Sequence, residues 1–418
     1  MPAHPSPAPD APSVGDEIDL DVTGVAHPGR FVGRSGGRPV FVAGTDVGER
    51  VLVRLTAVHP RYLEAELLAV LEPSPARVPH VWPEADVSRA PEARVGGADY
   101  GHLRLARQRE LKAMVLHEAF ERVGRFGAAA PRVPVETAPG REDGLHWRTR
   151  ELLHVAPDGV VGAIPARSHT VVPVASLPLV ADDLLATGVL QRRFAPGAQL
   201  RLARDEDGPA RLLVQTGAHR GDAEPPVVRV AAGRRFRVAA DGFWQVHAAA
   251  ADTLSAAVRA AVPAGEFRLG LDLFGGVGLL AAALADRVPR VVTVESDRAA
   301  ARLARGNLAD LPVRVLPGRV DRALARPDLQ RSLRGHGSGP GSGVVAVLDP
   351  PRAGAGKAVL AALMQAGVAR IVYVACDPVS LARDARVLVD AGYRLGKVRA
   401  LDLFPHSHHL ESVAVLDR

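Results

Sequence analysis

From Glu17 onward apolar and polar positions alternate: Ile18, Leu20 and Val22 fall on one side, Asp19 and Asp21 on the other, and short apolar runs follow at 39–42 and 51–55. Period-two alternation punctuated by glycine marks half-buried strands joined by tight turns. Ending near Glu72, these strands predict a small antiparallel OB-like barrel, a fold that often binds oligonucleotides and can equally act as a spacer. Residues 73–91 hold five prolines and read as a linker. Over 103–123 the spacing becomes helical, with Arg104, Arg107, Arg109 and Lys112 on a face expected to be solvated. Short Val-rich runs at 159–164, 170–174, 212–215 and 227–230 predict a mostly β middle region. Beyond Phe236 strand, glycine turn and Ala-rich helix recur, as in a doubly wound α/β domain. A Gly/Ser run over 335–343 reads as a flexible insertion between two of those units. The expected organisation is a disordered tail over 1–13, a barrel over 14–72, a linker, helix and mostly β domain over 73–235, and a Rossmann-like α/β domain over 236–418.

Composition narrows the class. A chain of 418 residues has room for two or three domains, and 47% hydrophobic with 23% charged residues excludes wholesale disorder and a membrane bundle. The most apolar stretch, 269–285, is interrupted by Asp272 and by glycines, which argues against a membrane span. The N-terminus lacks a basic start followed by an apolar run, so the expectation is no signal peptide and a cytoplasmic protein. Net charge is +6, and all but three of the 52 basic residues (Lys112, Lys357 and Lys397) are arginine. Guanidinium forks suit phosphate and base edges, though the same enrichment follows from a GC-rich coding sequence. The barrel segment is itself net −3, with only Arg30, Arg34 and Arg38 as a phosphate-facing trio. One cysteine, Cys376, excludes internal disulfides and multi-cysteine metal sites.

Chemistry concentrates in the last domain. A buried strand over 269–273 runs into Phe274, Gly275, Gly276, Val277 and Gly278, and the next strand ends in Glu295, where a carboxylate can accept from ribose hydroxyls. That pair of features does not choose between NAD and S-adenosylmethionine. Two further strands end in Asp349-Pro350-Pro351-Arg352 and Ala375-Cys376-Asp377-Pro378. Ligands bind at such carboxyl ends, so Cys376 is a candidate nucleophile, and on position alone equally a small buried hydrophobe. The triplet His406, His408 and His409 lacks further ligands at metal spacing and is read as a polar pocket-lining loop ahead of Glu411, with no metal.

Together these residues resemble the uracil-5 RNA methyltransferase family with an N-terminal TRAM domain. The resemblance covers nearly the whole chain: Phe243-Trp244-Gln245-Val246-His247, the glycine loop 274–278, Glu295, Asp349–Arg352, Ala375–Pro378 (usually Ser-Cys-Asn-Pro) and His408–Ser412 occur in the family's order. It implies a class I methyltransferase domain and transfer of a methyl group from S-adenosylmethionine to carbon 5 of a uridine in RNA, ribosomal RNA favoured over transfer RNA, by a monomer without membrane contact. It further implies Cys376 as nucleophile and Glu411 as base; Gln245, Phe274, Gly275, Gly276, Gly278, Glu295 and Asp349 around the cofactor; and Phe243, Asp349 and Arg352 around the base, with Phe243 or Trp244 stacking. Many members carry an iron-sulfur cluster on Cys-Gly-Gly-Cys, but Val95-Gly96-Gly97-Ala98 stands there, so no cluster is expected. Leu279 replaces an asparagine that often meets the methionine end of the cofactor. A nicotinamide-dependent dehydrogenase is the alternative enzyme, and it leaves Cys376 and Glu411 unexplained; a non-catalytic RNA-binding protein is the alternative to an enzyme.

Overall fold

Five strands, β1 (Glu17–Ala26), β2 (Arg30–Ser35), β3 (Arg38–Val42), β4 (Arg50–Val58) and β5 (Leu63–Glu72), close into a barrel in the order β1-β2-β3-β5-β4. The alternation in β1 sends Leu20 and Val22 into a core with Phe31, Val40, Val51 and Val53, while Asp19 turns out to pair with Arg50. The structure, a computed structural model, describes residues 12–164, 170–217, 224–333 and 342–418. The expected tail and the expected Gly/Ser insertion lie outside these residues, apart from the last two positions of each.

The segment read as a linker is packed. Arg77 binds the buried Glu49 of the barrel at 2.6 and 2.7 Å and Trp82 enters the core of the middle region; just beyond the segment, Val95 and Ala98 join that same core and Tyr100 and Leu103 enter the barrel core. Two of its five prolines start short 3-10 turns, Pro83–Ala85 and Pro91–Ala93. Helix α1 (Leu105–Glu118) follows, and its basic face is solvated only at its start: Arg104 is exposed, Arg107 and Arg109 are half-buried, and Lys112 is fully buried. Leu111 and Val115 pack on the barrel while Leu116 packs on the large eight-stranded sheet described below, so the helix is wedged between two bodies and its buried cations must find acids there. Arg107 binds Asp46 at 3.0 Å, and the fully buried Lys112 reaches Asp402 at 2.6 Å and the Phe404 carbonyl at 3.0 Å. Lys112→Met is therefore expected to destabilise the fold by about 3–5 kcal/mol in urea unfolding, because it strands a buried carboxylate. Adding Asp402→Asn should recover part of that loss; additive effects would overturn the pairing.

After β6 (Val135–Thr137), the middle region forms a five-stranded sheet from β7 (Arg150–Val155), β8 (Val161–Ala163), β9 (Val172–Pro173), β10 (Gln199–Ala203) and β11 (Arg211–Gln215), and a ribbon of β12 (Val227–Ala231) and β13 (Arg234–Val238). An eight-stranded sheet joins β6 to β14 (Phe267–Leu273), β15 (Val291–Glu295), β16 (Val313–Pro317), β17 (Gly343–Leu348), β18 (Arg370–Ala375), β19 (Arg394–Asp402) and β20 (Glu411–Asp417). Its order is β16-β15-β14-β17-β18-β20-β19-β6, and β14 to β18 are parallel with helices between them. Near-continuous apolar runs such as Val344 to Leu348 fit strands covered on both faces. β20 runs antiparallel to β18 and β19, and β6, from far upstream, completes the edge. Among the described residues no helix is long and apolar enough to cross a membrane.

Candidate active site

From the adjacent parallel strands β14 and β17 the chain winds off in opposite directions, to β15 and β16 on one side and β18 on the other. Helices on both faces leave a crevice outside the carboxyl ends at such a reversal. A cavity of about 1100 Å³ lies there, and Phe243, Gln245, Phe274, Gly275, Gly276, Glu295, Asp349, Arg352, Cys376 and Glu411 all line it.

One wall is the turn after β14. A Cβ on Gly275 would run into the Thr293 hydroxyl and the Asp272 carboxylate, so only glycine lets the backbone pass this close to the strand ends. Gly276, at φ +55°, donates its N–H to Glu295 Oε2 at 2.8 Å. Gly278 does not line the cavity. It precedes the helix Leu279–Ala285 at φ +96°, and a Cβ there would strike the Leu308 side chain; close packing explains this glycine, in place of the expected cofactor contact. Asp272, which sequence reasoning used only against a membrane span, is a further site residue. It is fully buried, accepts from Thr293 Oγ1 at 2.8 Å, and its Oδ1 has no partner among the described residues. Burial pushes its carboxyl up to about 7. A single acid inside an apolar strand was the signal that could have found it.

The opposite wall comes from three strands. Asp349 follows β17, Cys376 follows β18 and Glu411 opens β20. Because β20 is antiparallel, with Ser412 opposite Ala375, its first residue lies at the edge where β18 ends, beside the thiol. Glu411 is only 3% exposed and its Oε1 has no partner among the described residues. Burial, reinforced by Asp349, holds its carboxyl well above the usual range. Burial and the charge of Asp272 raise Asp349 to about 7. Cys376 is pushed up to about 11 by burial first and then by Glu411 and Asp349, against which Arg352 acts. Gln245 donates to Asp349 Oδ2 at a long 3.4 Å. Of the two aromatic candidates, Trp244 is buried against Phe236 under the Arg229 guanidinium, leaving Phe243, 69% exposed, at the mouth.

The histidine loop is fixed from α1, which sequence reasoning did not anticipate. Gln108 accepts from the His406 N–H at 2.8 Å and donates to the Tyr100 and Leu103 carbonyls, while Lys112 holds the Phe404 carbonyl. His409 lines the cavity and accepts from Arg352 Nη2 at 3.2 Å; burial pushes its imidazole down to about 3, so it is neutral. Among the described residues no three His, Cys, Asp or Glu side chains converge as metal ligands.

A TRAM-domain model matches residues 13–68, and a tRNA (Uracil-5-)-methyltransferase model matches residues 339–418. An uncharacterized RNA methyltransferase of Streptomyces avermitilis is 35% identical over 97% of this chain and 99% of its own, and one of Bifidobacterium longum is 33% identical over 96% and 97%. The chain belongs to the RNA (uracil-5-)-methyltransferase family. It is an S-adenosylmethionine-dependent enzyme with an N-terminal TRAM domain, and the dehydrogenase and non-catalytic alternatives fall away. The crystal structure of a Pyrococcus abyssi tRNA (uracil-54, C5)-methyltransferase in complex with S-adenosyl-L-homocysteine has the same fold, with a TM-score of 0.67 at 18% identity over 96% of this chain and 100% of that one. The cavity fits a sulfonium nucleoside donor: the glycine turn admits close approach, the orphan Asp272 oxygen can accept from an ammonium group, and Glu295 faces the same space. An iron-sulfur cluster does not fit. Val95 and Ala98 pack with Trp82 in an apolar core, and one cysteine cannot supply the thiolates.

Proposed function

We propose that this methyltransferase modifies carbon 5 of a uridine in RNA through a covalent adduct on Cys376. The observation that carries the reading is the chain's only thiol and a buried glutamate, its Oε1 without a partner among the described residues, sharing one cavity with the glycine turn. Carbon 5 of uracil is a weak nucleophile, and covalent activation removes that difficulty. Cys376 loses its proton to solvent and its sulfur adds to carbon 6, the carbon 5–carbon 6 π electrons moving to the carbonyl to leave an enolate whose carbon 5 is electron-rich. S-adenosylmethionine, when bound, supplies the electrophilic methyl group that carbon 5 takes up, its sulfur keeping the electrons of the broken bond and leaving as S-adenosyl-L-homocysteine. Glu411 then removes the carbon-5 proton, and the electrons left behind expel the Cys376 thiolate. The burial that raises Glu411 also raises its proton affinity, which a base acting on carbon requires.

Asp349, Gln245 and Arg352 hold the polar edge of the base, and Phe243 offers a stacking face at the mouth. Glu295 accepts from the donor's ribose, and Phe274, Gly275 and Gly276 with Asp272 hold its amino-acid end. A base attacked inside such a cavity has to leave its stack. Ribosomal RNA in the cytoplasm is the first substrate to assay, on the strength of the barrel. Transfer RNA is the second, because the Pyrococcus abyssi enzyme of that name covers 96% of this chain, barrel included.

Nucleoside mass spectrometry of separated ribosomal and transfer RNA from a deletion strain tests the reading. The expected result is loss of 5-methyluridine from one fraction, restored by the wild-type chain and not by Cys376→Ala. Unchanged 5-methyluridine in both fractions, or loss of a different methylated nucleoside, would overturn it.

A further inference from the structure

One turn of the barrel touches both catalytic segments. Between β1 and β2, His27 Nε2 lies 2.8 Å from Oδ2 of Asp377, the residue after Cys376. The other oxygen of Asp377 accepts from the Ser380 N–H at 2.7 Å, capping the helix Pro378–Asp390. One carboxylate therefore ties the start of that helix to the barrel. Burial works against its charge, but the hydrogen bonds from His27 and Ser380 bring Asp377 down to about 2, so it stays ionised.

Two residues past His27, the backbone of Gly29 seats against the His408 ring: a Cβ there would stand 2.7 Å from Cγ of that ring, at a φ of +60°. His408 is held on its far side by Asp99 at 2.7 Å and lies with its ring 4.0 Å from that of His409, whose Nε2 accepts from Arg352 in the cavity. Glu411 comes two residues later. The barrel does not need this turn for docking, because Leu111, Val115, Arg107 with Asp46 and Arg77 with Glu49 already anchor it.

We propose that the β1–β2 turn is a positioning part of the active site: His27 sets the Cys376 segment through Asp377, and Gly29 sets the Glu411 segment through His408, so the barrel that meets RNA also fixes the catalytic geometry. This rests on the roles given above to Cys376 and Glu411. Misplacement of reacting groups by a fraction of a bond length is costly even when binding is intact.

The test uses the full chain carrying His27→Ala, His27→Gln or Gly29→Ala, each also combined with Glu411→Gln, where adduct formation reports addition and methyl uptake alone. Expected are kcat and adduct-formation rates lower by about 10- to 100-fold for His27→Ala and Gly29→Ala, with RNA and S-adenosylmethionine affinities unchanged in both and melting temperature unchanged in His27→Ala; Gly29→Ala, strained at its positive φ, is assayed well below its own lowered melting temperature. His27→Gln, which keeps an N–H donor near the Nε2 position, should recover most of the rate. Wild-type rates in both alanine variants would overturn the proposal. So would a rate loss that follows RNA affinity or, in His27→Ala, melting temperature, since that is what mere docking predicts. If Glu411→Gln by itself forms no adduct, the covalent mechanism fails instead, and kcat in the otherwise wild-type chain still decides for or against the turn.

Discussion

Cys376→Ala is expected to abolish methyl transfer, by on the order of 10⁴-fold or more, while leaving S-adenosylmethionine affinity unchanged. The asymmetry follows from the sheet. The glycine turn and Glu295 hang on β14 and β15, whereas the thiol follows β18 on the other side of the reversal, so deleting sulfur removes covalent activation without touching the donor's wall. Single-turnover assays with titration calorimetry read both quantities, and residual turnover close to wild type would exclude this nucleophile. The thiol can also be followed directly, because it is the only one in the chain. Its pKa is raised, to about 11, so ionisation comes later than for a free cysteine and the thiolate fraction at neutral pH is small. Iodoacetamide labelling of the free enzyme should therefore accelerate by about tenfold per pH unit from about pH 7 to about pH 9. A plateau below about pH 8 would mean that burial does not govern this group.

Glu411→Gln is expected to trap the reaction after methyl transfer. The base is called on only when uracil is already bonded to Cys376 and carries the new methyl group, so removing it blocks release and not attack. Glutamine preserves the buried shape, and since Oε1 of Glu411 has no partner among the described residues, the amide breaks no existing hydrogen bond at that atom. Turnover should fall by about 10²–10⁴-fold, the usual range for a lost general base. A methylated protein–RNA adduct should accumulate, survive denaturing electrophoresis, and vanish when Cys376→Ala is added. Normal turnover, or an adduct that persists without Cys376, would mean that thiol and base have been assigned to the wrong residues.

The strand-end motifs were legible because their geometry is local. An acid at the carboxyl end of a parallel strand faces the crevice whichever strand carries it, and Glu295 and Asp349 needed only that. Lys112 was misread for the complementary reason. Its helical spacing is local, but whether a helix face meets water depends on what lies across from it, and α1 is sandwiched between barrel and sheet. Gly278 carried the same glycine signature as its neighbours, yet the obstacle that demands glycine there is Leu308.

Periodicity and adjacency along the chain set the order of elements, the apolar alternation of the barrel strands and the doubly wound run of strands and helices, while the resemblance of short motifs pointed to the thiol and the glutamate. Tertiary structure alone decided which of these meet. The antiparallel entry of β20 carries Glu411 to the edge where β18 releases Cys376, α1 carries Gln108 and Lys112 to the histidine loop, and the β1–β2 turn reaches Asp377 and His408. Those encounters join residues hundreds of positions apart in some cases, and no local pattern encodes them. They follow from strand order and from the burial of apolar faces between bodies, which only the folded chain specifies.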